Sequence, residues 1–216
     1  VKATPVDEFL DGLVSDLKPV RPRRPGREAA LLAALGVAEL FAWLWMKQPR
    51  PDLLHAMATT PSFWWKLTSF GSISALGLAT TIASLDPSVS PRRGLAWLLL
   101  AVFVYVGVGA IMSVPVSHAD LARRLNWREG IYCLTHVVPL SMPAIAGLAL
   151  VMRRGAPTDP PATALAAGVT AAAWAALVFA FNCNQDDYLY VIVWYTIACA
   201  LGTGIALLVL PRLARW

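Results

Sequence analysis

The sequence predicts an all-α, polytopic membrane protein: a six-helix transmembrane bundle with a short amphipathic helix in an N-terminal tail. Three observations predict it. Hydrophobic residues make up 57% of the 216 residues and charged residues only 14%, against about 25% charged in a typical soluble domain. Six apolar stretches approach or reach the length of about 20 residues that a helix needs to cross a bilayer. The segment ahead of the first stretch places its apolar residues on one helical face. This composition excludes a soluble globule and a disordered chain. Three cysteines do not make a disulfide framework. The net charge of +5 sits at the ends of apolar runs, which is a membrane pattern and not a nucleic-acid surface.

The tail, residues 1–28, comes first. Val6, Phe9, Leu10, Leu13, Val14 and Leu17 fall at i, i+3, i+4, i+7, i+8 and i+11, a one-sided helical stripe over about 6–17. Asp7, Glu8, Asp11 and Asp16 lie off the stripe. Such a short helix, with Gly12 inside it, is marginal alone in water, so it folds against something. A helix lying on anionic lipid carries basic residues on its polar face, and this face is acidic. A groove on a partner protein fits better; docking on the chain's own loops is the alternative. Pro19, Pro22 and Pro25 form an extended linker, and Arg21, Arg23, Arg24 and Arg27 fall at headgroup level.

The membrane domain, residues 29–216, holds spans at about 29–46, 67–85, 95–114, 131–152, 162–181 and 189–210. The backbone must satisfy its own hydrogen bonds in hydrocarbon, so these are helices. The first reads as a span and not a signal peptide, because Met46-Lys47-Gln48-Pro49 offers no small-residue cleavage site. The fourth carries Pro139 and Pro143 and is expected to bend. The fifth is alanine-rich with Gly168, so it should pack closely and sit centrally. No internal repeat is visible.

An even number of spans puts both termini on one side. Of the 18 Lys and Arg residues, Lys47, Arg50, Lys66, Arg123, Arg124 and Arg128 fall on the other side. The excess on the terminal side makes both termini cytoplasmic. Trp43, Trp45, Trp64, Trp65, Trp97, Trp127 and Trp216 fall near span edges and read as interfacial anchors, with Trp174 and Trp194 deeper.

Only Glu39 and His136 read as ionisable residues inside spans, and Glu39 is expected to pair with His136 or a serine. No catalytic or phosphate-binding motif is present, and no cofactor or resident metal is expected. Cys133 begins the fourth span and Cys183 follows the fifth, which places both at the external face. Spacing alone leaves three readings of the pair open: unrelated packing cysteines, a structural disulfide, or a redox or soft-metal sensor. In the last case His118, His136 or Asp186 would supply further ligands. Cys199 lies mid-span and reads as packing.

The order of these features resembles the NrsF-type membrane anti-sigma factors of bacteria. The resemblance rests on Asp16-Leu17-Lys18-Pro19-Val20, Arg50-Pro51-Asp52-Leu53 and Pro61-Ser62-Phe63-Trp64-Trp65-Lys66. It continues through Cys133 leading into Ser141-Met142-Pro143, Cys183 before an acidic pair, Trp194-Tyr195 and Arg212-Leu213-Ala214-Arg215-Trp216. It implies a non-enzymatic inner-membrane protein that holds an extracytoplasmic-function sigma factor. The tail residues Val6, Phe9, Leu10, Leu13, Val14 and Leu17 would bind that partner. Cys133 and Cys183 would sense the signal that releases it. The family's frequent Pro-Glu-Asp after the second cysteine is here Asn184-Gln185-Asp186-Asp187. Rival readings are a small membrane thiol oxidoreductase and a small transporter.

Overall fold

The computed structural model of the chain describes residue 14 and residues 23–113 and 118–213. Eight helices follow in order among the described residues. They are α1 (Pro25–Lys47), α2 (Leu53–Thr59), α3 (Pro61–Ser84), α4 (Arg92–Met112), α5 (His118–Arg124), α6 (Trp127–Met152), α7 (Pro160–Ala180) and α8 (Tyr188–Leu213). Among the described residues there is no strand. Six of the helices are long and apolar enough to cross a membrane.

Local chemistry sets the ends. Proline opens α1, α3 and α7, where its missing N–H costs nothing. Asn126 caps α6 by accepting from the Arg128 N–H, Asp159 caps α7 from Ala162, and Asp187 caps α8 from Tyr190. Helix α6 runs unbroken through Pro139 and Pro143. Helix α8 contains one π-helical turn, Val191–Tyr195.

Helix α7 is the central post, as its composition predicts. In its most apolar stretch 72% of residues are buried, against 11% in α1. It packs on α3, α6 and α8. A side chain at Gly168 would press within 2.9 Å of Ala206 Cβ and 3.1 Å of Thr203 Cα, so glycine there lets α7 and α8 close up. Hydroxyls inside the bundle return to backbone carbonyls, as Thr81 does to Gly77 and Thr170 to Ala166. Thr163 donates across to Ser84 Oγ at 3.0 Å, joining α7 to α3.

Two tryptophans depart from the expected anchoring role. Trp45, Trp97 and Trp127 do stand out from the bundle. Trp43 is buried edge-on to His136, and Trp65 stacks on Tyr105 at 5.0 Å. Both sit on helix faces that a neighbouring helix covers, and sequence position near a span edge does not reveal the face.

Candidate functional site

The groups with chemistry gather at one end of the bundle, around the segment joining α7 to α8. Cys183 lies three residues past α7 and Cys133 two turns into α6. Both are buried free thiols in one core cluster with Phe179, Tyr190, Val191 and Tyr195. Cys199 packs against the same cluster, its thiol directed to the Ala172 carbonyl in the α7–α8 contact.

A charged clamp fastens this segment. Lys66, on the second turn of α3, is fully buried, and its Nζ donates to Asp186 Oδ1 at 2.7 Å and to the Gln185 carbonyl at 3.1 Å. Arg50, between α1 and α2, donates through Nη1 to Asp186 Oδ2 at 2.6 Å and to the Cys183 carbonyl at 3.0 Å. Its Nε and Nη2 grip both oxygens of Asp52 at 2.8 and 2.7 Å, the bidentate geometry that guanidinium favours. The Phe63 ring lies under both cations, 5.9 Å from the Arg50 guanidinium carbon and 5.7 Å from Lys66 Nζ. Two cations therefore face two carboxylates. The Arg50 guanidinium pushes the Asp52 carboxyl down to about 2, and Asp52 and Asp186 raise the guanidinium further above its already high value.

Further ties hold the flanks. Arg124 of α5 pairs with Asp187 at 2.6 Å, so the residue that caps α8 also anchors α5. Gln185 donates to Glu129 of α6, and Asn182 donates to the Gln48 carbonyl. The Arg50 backbone N–H donates to the Phe181 carbonyl at 3.0 Å. Gln48 itself has φ 57° and ψ 145°, a conformation that costs a non-glycine residue on the order of 1–3 kcal/mol.

The structure places Cys133 and Cys183 in one buried cluster and corrects the expected polar pairing in the apolar helices. Glu39 Oε2 accepts from Trp174 Nε1 at 3.2 Å and does not pair with His136 or a serine. His136 turns its ring to Tyr132 and Phe179, and its Nδ1 meets the Tyr132 carbonyl at 2.7 Å. Gly36 is the physical reason for the Glu39 partner: it leaves room for the Trp174 ring to lie against α1. Among the described residues no three His, Cys, Asp or Glu side chains form a metal-holding group, and both Asp186 oxygens are occupied by cations. Of the tail stripe, Val14 is described, helical and exposed; Val6, Phe9, Leu10, Leu13 and Leu17 lie outside the described residues.

Sequence reasoning missed the clamp. Lys66 reads as an edge charge after two tryptophans, and Asp186 reads as half of an acidic turn. The available signal was a lone lysine on the second turn of an apolar helix, which needs an acidic partner if buried.

Comparison with known proteins gives a consistent picture. The sequence profile of the NrsF family, described as "Negative regulator of sigma F", matches residues 13–216. The chain is 30% identical over 204 residues to the anti-sigma-F factor NrsF of Caulobacter vibrioides, covering 91% of this chain and 92% of that protein. It is 28% identical over 176 residues to the probable anti-sigma-F factor NrsF of Azospira oryzae, covering 78% and 79%. No solved structure matches.

Proposed function

The chain belongs to the NrsF family of negative regulators of sigma F, and on that premise we propose that it retains an extracytoplasmic-function sigma factor at the bacterial inner membrane. It is a regulator and not an enzyme. The match across residues 13–216 carries the reading. The tail supplies the partner-binding helix, with Val6, Phe9, Leu10, Leu13, Val14 and Leu17 as the apolar contacts. Each contributes on the order of 1.5–3 kcal/mol if fully buried, before the cost of ordering the tail. The tail and the C-terminus are cytoplasmic, which the distribution of Lys and Arg supports. Cys133 and Cys183 then face the periplasm.

The thiol pair senses the external signal, and its modification disturbs the clamped segment beside it. That disturbance shifts the bundle to a state that no longer retains the sigma factor. Reversing a 99:1 preference takes a differential of about 5.5 kcal/mol. Severing a buried ion pair from one side, at about 3–5 kcal/mol, is of that order.

The test is a reporter gene driven by the cognate sigma factor in the native cell. Leu10→Asp with Leu13→Asp raises reporter output without any inducer. Cys133→Ser with Cys183→Ser keeps it low with or without inducer. A tail double mutant that still represses fully contradicts the binding role, and a cysteine double mutant that still induces contradicts the sensing role.

A further inference from the structure

We infer that α1 is the helix that moves on signalling, and that Arg50 is the positioning residue that couples it to the thiol segment; this rests on the sigma-retaining reading above. The coupling is short. Arg50 follows the last residue of α1 by three positions, and Pro49 limits the slack between them. Over that stretch the chain is stitched to residues 181–186. The Gln48 carbonyl accepts from Asn182, the Arg50 N–H donates to Phe181, and the guanidinium holds the Cys183 carbonyl and the Asp186 carboxylate. A displacement of Cys183 acts on Arg50 directly, because the thiol and the accepting carbonyl belong to the same residue.

Helix α1 is also free to respond. Among its residues Trp43 alone is buried. A cavity of about 250 Å³ is lined by α1, α3, α6 and α7, and a second of about 480 Å³ by α1 and α6. Among the described residues, Glu39 to Trp174 is the one side-chain hydrogen bond from α1 to another span. Helix α6, by contrast, buries Cys133, Val137, Leu140, Ser141, Ile145 and Leu148 against its neighbours, and its Pro139 and Pro143 are exposed on another face, lining the second cavity.

The two ends of α1 suit transmission. At the clamp end, Gln48 holds a positive φ, and strained backbone of this kind is found at elements with two arrangements. At the tail end, Arg23 pairs with Glu28, so the end of the linker nearest α1 travels with the helix. Seven residues, 18–24, separate α1 from the recognition stripe. A tilt or slide of α1 therefore repositions the tail at the membrane surface. The signal biases two positions of one loosely packed helix by their different affinity for the clamp.

The test uses the full chain in nanodiscs with its sigma factor. Leu35 is replaced by the photocrosslinker p-benzoylphenylalanine, because its Cδ2 lies 2.7 Å from where a Gly147 Cβ would stand on α6. Two variants cut the coupling. Arg50→Met removes the guanidinium, and Gly-Ser-Gly inserted after Gln48 leaves the clamp whole while loosening its hold on α1. Both are expected to lower co-purified sigma factor at least tenfold and crosslinking to the Gly147 segment at least threefold. The insertion decides if Arg50→Met lowers the melting temperature. Sigma factor retained at the wild-type level by the insertion overturns the coupling. Release with unchanged crosslinking overturns the motion of α1. A wild-type chain that retains no sigma factor overturns the underlying reading, and this inference with it.

Discussion

The ammonium of Lys66 lies 2.7 Å from Oδ1 of Asp186, 120 residues away in sequence, with no part of the lysine exposed. Arg50 takes the other carboxylate oxygen. One aspartate thus joins the exit of α1, the second turn of α3 and the segment that carries Cys183. A buried pair of this kind adds little net stability over apolar packing, but its geometry is strongly enforced, because one partner left alone is costly.

Asp186→Ala leaves two cations facing each other and is expected to lower stability by about 3–5 kcal/mol. Lys66→Met is expected to cost less than half as much, because Asp186 keeps Arg50. Denaturant titration of the detergent-solubilised protein measures both. Equal losses would contradict the shared-carboxylate arrangement.

Gln48→Gly relieves the positive φ at the end of α1 and is expected to raise stability by about 1 kcal/mol in the same titration. Gln48→Val is expected to lower it. A loss on Gln48→Gly would mean that the backbone there is unstrained.

Gly130→Ala adds a methyl group where the Trp194 indole lies against α6. Overpacking of this kind costs about 1–3 kcal/mol. The expected result is a lower melting temperature together with a shift in tryptophan emission, absent from Gly107→Ala, which faces open space.

Asp52 sets an acid limit. Its carboxyl falls from 3.8 to about 2 beside Arg50, so its contribution to folding is fully present above pH 3.8 and is lost as pH falls through about 2. Asp52→Asn is expected to flatten that part of the stability-pH curve, read by melting temperature from pH 5 to pH 2. An unchanged slope would remove Asp52 from the clamp.

The sequence carried the six long apolar helices, because each is a local property of some 20 neighbouring residues. It carried the central place of α7, because alanine and Gly168 state how close a neighbour can come. It put Cys133 and Cys183 at one end of the bundle, because topology alone assigns span ends to a side, but left open what the pair does. It did not carry the Lys66–Asp186 pair or the Glu39–Trp174 bond. Both depend on which face of one helix meets which face of another, and periodicity in strongly apolar spans is too weak to assign faces. The short helices α2 and α5 were missed for a related reason. Seven residues leave too little pattern to separate a helix from a loop.

The central claim is that the tail stripe holds a sigma factor. Affinity capture of the full chain from its native cell, with mass spectrometry of bound proteins, tests it most directly when run beside the Leu10→Asp, Leu13→Asp variant. The account predicts a sigma factor on the wild-type chain, reduced at least tenfold on the variant. Equal recovery of the sigma factor on both chains, or none on either, would contradict it.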